Sequence, residues 1–127
     1  MKAGEQSNEK KYTSEEHDRC KRVAEAFQEL YDLYGDVCMV DAGEFGFVHL
    51  LWFWEGNFDS SICYHDSRKM FDDLWELWLD YMLLEPVKNT ELSELSYEEL
   101  YDRLPEETKV EYQRKRQQFL AASGLSD

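Results

Sequence analysis

The chain is predicted to be an α+β domain: a three-stranded antiparallel β-meander packed against helices, in the order α-β-β-β-α-α-α. Three stretches carry that prediction. Residues 46–54, GFVHLLWFW, hold one polar side chain, His49, in nine positions. A strand apolar on both faces belongs in the middle of a covered sheet, because alternate side chains point to opposite sides. Residues 70–84, MFDDLWELWLDYMLL, place Met70, Phe71, Leu74, Trp75, Leu77, Trp78, Tyr81 and Met82 on one broad helical face, with Asp72, Asp73, Glu76 and Asp80 mainly opposite. Between these two stretches the turns are too tight for anything but antiparallel neighbours.

Residues 1–12 are polar and are expected to be a disordered lead-in to a single domain over 13–123. A helix over 13–34 opens on Thr13-Ser14-Glu15-Glu16, a capping-box pattern. It continues with Cys20, Val23, Ala24, Phe27, Leu30, Tyr31 and Tyr34 at helical spacing, and Gly35 supplies a left-handed stop. Strands follow at 37–41, 45–54 and 58–64, joined by turns at Asp41-Ala42-Gly43-Glu44 and Glu55-Gly56-Asn57. In the third strand Phe58, Ser60, Ile62 and Tyr64 share one face, and Asp59, Ser61, Cys63 and His65 the wet one. Asp66 or Ser67 caps a helix over 66–85 that Pro86 ends. After a connector at 87–95, Ser96-Tyr97-Glu98-Glu99 is a second capping box, opening a helix over 96–104. Pro105 then starts the last helix, 105–122, with Gly124 beyond.

Composition narrows the function. The chain carries 28 acidic and 14 basic residues, a net charge of −14. Residues 35–86 hold eleven acids against Arg68 and Lys69, a local net of −9, together with all four tryptophans. Such a surface repels nucleic acid, whose binding rests on phosphate neutralisation by Lys and Arg, and repels anionic membrane for the same reason. No run reaches the ~18 apolar residues of a membrane span. The start, MKAGEQSNEKK, has no apolar segment of the secretory kind. Cys20, Cys38 and Cys63 form neither a disulfide framework nor a CxxC pair, and read as small buried hydrophobes. A cytoplasmic location is the expectation.

Asp72, Glu76 and Asp80 lie on one helical stripe, four residues apart. One helix alone cannot bring three such carboxylates onto one ion, and the ExxH pairs of di-metal bundles do not occur here. The stripe therefore reads as a solvated face or a contact for a basic partner. His17, His49 and His65 belong to three different elements. Neither a GxSxG elbow nor a phosphate-binding glycine loop is found, and no catalytic, cofactor or metal set is identified. Lys109, Arg114, Lys115 and Arg116 interleave with Glu106, Glu107 and Glu111, and Glu111 with Lys115 makes a favourable i,i+4 pair.

The expected function is accordingly a non-enzymatic protein-interaction domain. Asp72, Glu76, Asp80, Trp52 and Trp54 are the candidate partner-binding residues, and the acidic 35–86 surface docks on a basic protein. In size and charge the chain resembles small acidic phage and mobile-element proteins that inhibit nucleic-acid-binding enzymes through a DNA-like surface, and acidic immunity proteins that neutralise toxins. That resemblance implies inhibition or nucleic-acid mimicry. One alternative is a homo-oligomer, such as a homodimer, using a sheet face that the modestly apolar C-terminal helices leave bare. Another is a small metal- or ligand-dependent enzyme using His49 or His65.

Overall fold

The computed structural model describes residues 14–34, 37–42 and 47–126. It is α+β with helices dominant. Helices α1 (Ser14–Ala26) and α2 (Gln28–Tyr34) precede strands β1 (Val37–Ala42), β2 (Phe47–Trp54) and β3 (Asn57–Tyr64). Helix α3 (Ser67–Leu84) runs into 3₁₀ turns at Glu85–Val87 and Glu91–Glu94, and α4 (Tyr97–Asp102) and α5 (Glu106–Ser123) complete the chain.

Where the sequence predicts one helix over 13–34, the structure has two. The break falls at Phe27. Its amide reaches Val23 over 3.3 Å, and its carbonyl takes the Leu30 amide at 2.9 Å in an i,i+3 bond, so the helix tightens for one turn. Neither Pro nor Gly is present to cause this. The Phe27 ring, at the break, is fully buried, stacked on Phe119 (centroids 4.3 Å apart) and edge-on to Phe71 (5.4 Å). Thr13 and Gly35, the expected cap and stop, lie outside the described residues.

β1 pairs antiparallel with β2 from Val37 opposite Trp52 to Ala42 opposite Phe47. Asp41 and Ala42, expected in a turn, are therefore strand residues, because pairing with Val48 and Phe47 extends the ladder. β2 and β3 are also antiparallel, joined through Glu55 (φ 50°) and Gly56 (φ 81°). Positive φ at both central residues is what a type I′ hairpin requires.

An irregularity at Trp52/Phe53 shifts the β2–β3 register, so Val48 faces Tyr64 but Phe53 faces Phe58. The extra residue in β3 turns Phe58 onto the face of Leu51 and Phe53, where its ring meets Phe53 edge-on at 6.0 Å. Phe58 thus does not share the face of Ser60, Ile62 and Tyr64 that strict alternation assigns it.

The core lies between one sheet face and the helices. Val48, Leu50 and Tyr64 are buried there against Cys20, Val23, Phe27 and Leu30 of the α1–α2 segment and Met70, Phe71, Leu74 and Trp78 of α3. Helix α5 adds Phe119 and Leu120 by packing on α1. On the other face His49, Leu51 and Phe53 are half-buried, and Phe58 is 60% exposed.

Helix ends follow local chemistry. The Asp66 carboxylate accepts from the Arg68 and Lys69 amides at 3.0 and 3.1 Å, so Asp66 rather than Ser67 is the cap of α3. The box at Ser96 is complete: Ser96 Oγ accepts from the Glu99 amide (3.2 Å), and Glu99 Oε1 from the Ser96 amide (2.9 Å). Helix α4 stops at Asp102, before the predicted 104, since Leu104 precedes Pro105 and that position disfavours helix. Gly124 closes α5 at φ 75°, with the Leu125 amide bonded to the Leu120 carbonyl at 2.9 Å. A Cβ at Gly124 would collide with the Arg22 guanidinium, whereas one at Gly56 (φ 81°) would meet open space. Gly124→Ala is expected to lose about 1 kcal/mol or more in urea denaturation from left-handed strain plus displacement of Arg22. Gly56→Ala should show the strain alone.

Candidate docking surface

The acidic stripe of α3 is divided by its neighbours. Asp72 is exposed and pairs with Arg68 Nε at 3.5 Å. Asp73, one residue off the stripe, accepts from the Tyr64 hydroxyl (2.9 Å) and from Lys69 Nζ (3.2 Å), tying α3 to β3. Burial, the Asp73 hydrogen bond and the Asp73 charge all push the Tyr64 phenol above its ordinary range. Glu76 is exposed and Asp80 half-buried. Burial first, and then the Glu76 charge, raises the Asp80 carboxyl above its usual value.

The charges of Glu76 and Asp80 reach Tyr97 of α4. The Tyr97 phenol is raised by partial burial and then by the charges of Asp80 and Glu76 on α3 and of its own neighbour Glu98. The Ser96 capping box places that ring, since it sets the first turn of α4 one residue earlier.

Next to this group, α3, α4 and α5 enclose an open cleft of about 540 Å³. Trp75 and Leu79 come from α3; Tyr97, Glu98, Tyr101 and Asp102 from α4; Gln113 and Arg116 from α5. The walls are held from behind. Trp75 stacks on Trp78 (5.0 Å, 14°) and meets Phe119 edge-on at 6.1 Å. Trp78 Nε1 donates to Glu29 Oε2 at 3.3 Å. Gln113 Nε2 donates to the Tyr101 hydroxyl at 3.2 Å, and Lys109 Nζ lies 5.8 Å over the Tyr101 ring.

The cationic residues of α5 are largely committed within the fold. Lys115 Nζ donates to Glu29 Oε1 at 2.7 Å, from α5 to α2, while Arg114 takes Glu111. The local Glu111–Lys115 pair is thus replaced by a tertiary one, because packing against the α1–α2 segment brings Glu29 within reach. Arg116 lies 5.6 Å over the Phe71 ring.

Of the remaining candidates, Trp52 meets Tyr31 edge-on at 6.1 Å, on the helix-covered sheet face and outside the residues lining the cleft. The Trp54 side chain lies outside the described residues. The structure therefore puts Tyr97 of α4 within reach of the Glu76 and Asp80 charges and leaves Trp52 half-buried against the core. Cys20 is buried, with its thiol pushed up to about 12 by burial and then by Glu16 and Asp66, but Cys63 is exposed, contrary to its reading as a buried hydrophobe. Alternation places Cys63 opposite His49, on the face away from the core formed with the described helices. His65 lines a smaller cleft of about 430 Å³ with Asp66, Lys69 and Asp73. Among the described residues no three His, Cys, Asp or Glu side chains gather as a cation site, and no helix is long and apolar enough to cross a membrane.

Sequence reasoning missed Tyr97, Tyr101, Glu98 and Asp102. A signal was there, in YEELYD: the two tyrosines, and Glu98 with Asp102 of its three acids, are each spaced i,i+4, which puts two aromatics and two carboxylates on adjoining stripes of a six-residue helix. No family model, curated protein or solved structure matches the chain.

Proposed function

We propose that the chain is a non-enzymatic interaction domain of the cytoplasm that docks on a basic protein through the acidic surface of α3 and α4. The observation that carries this reading is the open cleft between α3, α4 and α5, where Glu98 and Asp102 stand with Tyr97, a phenol that the charges of Glu76 and Asp80 on α3 also reach. Acids from two separate helices whose charges reach one phenol make a shaped anionic surface rather than a solvated stripe. Such surfaces steer oppositely charged partners and set specificity. Inhibition of a basic, nucleic-acid-binding protein by occupying its charged surface is the mode this fits. The reading takes β1–β3 as a meander with β2 in its centre, supporting the helices from behind. Free thiols at Cys20 and Cys63 agree with a reducing compartment.

The test is calorimetric titration with a synthetic 20-residue peptide of alternating lysine and arginine. Affinity is expected to fall at least tenfold between about 0.02 and 0.3 M salt, as screening shortens the reach of exposed charges. The triple variant Asp72→Lys, Glu76→Lys, Asp80→Lys should bind at least tenfold more weakly at the lower salt. Salt-independent binding, or a triple variant equal to the parent, overturns the reading.

A second reading, self-association, is favoured by one feature. Leu51 and Phe53 are half-buried and Phe58 is exposed on one sheet face. Sedimentation across a hundredfold range of concentration separates the two, because a monomer throughout removes the dimer.

A further inference from the structure

The cleft between α3, α4 and α5 has a composition of its own, beyond the charge of the surface around it. Its walls are one indole, Trp75, and two phenol rings, Tyr97 and Tyr101, with the carboxylates of Glu98 and Asp102 beside them. Neither carboxylate is in an ion pair among the described residues. Aromatic faces attract cations through their quadrupole, and do so more strongly where water is partly excluded. The protein already uses this chemistry at the same ring, since Lys109 Nζ sits 5.8 Å over Tyr101. Arg116 also lines the cleft, but its guanidinium lies against Phe71, and the carboxylates of Glu98 and Asp102 outnumber it there.

Between the two biological cations, the arrangement suits guanidinium better. A planar guanidinium stacks on an indole or phenol while donating two parallel hydrogen bonds to a carboxylate, and sheds water more readily than an ammonium. A cleft of about 540 Å³ has room for the whole side chain. Gln113, held by its bond to the Tyr101 hydroxyl, keeps its amide carbonyl as a further acceptor.

We infer that this cleft is the socket for an arginine side chain of the basic partner, stacked among Trp75, Tyr97 and Tyr101 and paired with Glu98 or Asp102. The inference rests on the docking function proposed above and names the partner group that occupies the surface.

The full chain, ¹⁵N-labelled, is titrated with Nα-acetyl-arginine amide while the Trp75 indole N–H and the Gln113 side-chain amide are followed by NMR. Both are expected to shift saturably, in the millimolar range. Nα-acetyl-citrulline amide, of the same shape without charge, should bind about threefold or more weakly. Tyr101→Leu keeps apolar bulk but loses the ring face, and should weaken arginine binding about three- to tenfold. Tyr101→Phe keeps the face and should retain it, which also shows that the helix still folds. Equal binding by citrulline or by Nα-acetyl-lysine amide overturns the guanidinium assignment. So do unchanged Trp75 and Gln113 signals, or a Tyr101→Leu variant that binds like the parent. If those results come with a basic peptide that still binds in a salt-dependent way, the socket falls and the acidic docking surface stands. If the peptide fails as well, both fall.

Discussion

Phe27→Ala is expected to lose about 3–5 kcal/mol of folding stability, the largest effect of any single substitution considered for this chain. The ring is fully buried at the junction of α1 and α2, stacked on Phe119 at 4.3 Å and edge-on to Phe71 at 5.4 Å. Phe119 in turn meets Trp75 and Trp78 at 6.1 and 5.9 Å, so the cavity would open under the aromatic wall of the cleft. Deleting a buried ring removes its transfer free energy and leaves space that a three-helix junction cannot close without moving all three. Urea denaturation of parent and variant measures the loss. Phe58→Ala is the matched control: the same atoms are removed at a site 60% exposed, and the cost should stay below about 1 kcal/mol. Similar losses at the two positions would contradict the placement of the core.

Glu16→Gln is expected to lose about 1–3 kcal/mol at neutral pH, and the loss should disappear in acid. One oxygen, Oε2, accepts from both the amide and the hydroxyl of buried Ser67, at 2.5 and 2.7 Å, and the other takes Arg19 Nη1 at 2.9 Å. This joins the first turn of α1 to the first turn of α3, 51 residues away in sequence. Burial raises the Glu16 carboxyl, but the Ser67 hydroxyl and amide and the Arg19 guanidinium outweigh it, and the group ends below its ordinary value of 4.5. A carboxyl depressed in the folded state binds its proton more readily when unfolded. Its contribution is therefore complete above about pH 4.5 and is lost as pH falls through the lower folded value. The stability gap between parent and Glu16→Gln should narrow steadily below that pH. Titration of the other carboxylates is common to both proteins and cancels in the difference. A gap equal at pH 7 and pH 3 would show that the charge of Glu16 contributes nothing.

Glu16 also shows where sequence reading stops. Its position three residues after Thr13 suggests a capping box, and the carboxylate is indeed at a helix start. What the sequence does not contain is that Ser67 lies next to it. Phe27 is similar. Helical spacing places it correctly on the apolar face, and nothing local hints that the helix would break there. The candidate site divides the same way. Glu76 and Asp80 are readable as one stripe from their spacing, but Tyr97, the group that turns the stripe into a surface, arrives from a helix beyond the connector.

The sequence by itself determined the helical character of 67–84 and 106–123 and the signals that bound them. Asp66 or Ser67, the Ser96–Glu99 box that opens 97–102, Pro105 and Gly124 act within one turn of chain, where backbone geometry and the nearest amides decide the outcome. The apolar run in β2 likewise marks a strand, whichever face is covered. The tertiary structure alone decided that, among the described residues, Val48 and Leu50 are buried against the helices while Leu51 and Phe53 lie on the other sheet face. It also turned Phe58 to the opposite face through one extra residue, gave Lys115 to Glu29, and assembled Trp75, Tyr97 and Tyr101 into a cleft. The reason is physical: periodicity and capping are set over three or four residues, whereas faces, registers and clefts depend on which distant surfaces exclude water together. In GFVHLLWFW the two faces differ in polarity by His49 alone, which does not by itself assign them, and the choice was left to the described helices that packed against the face without it.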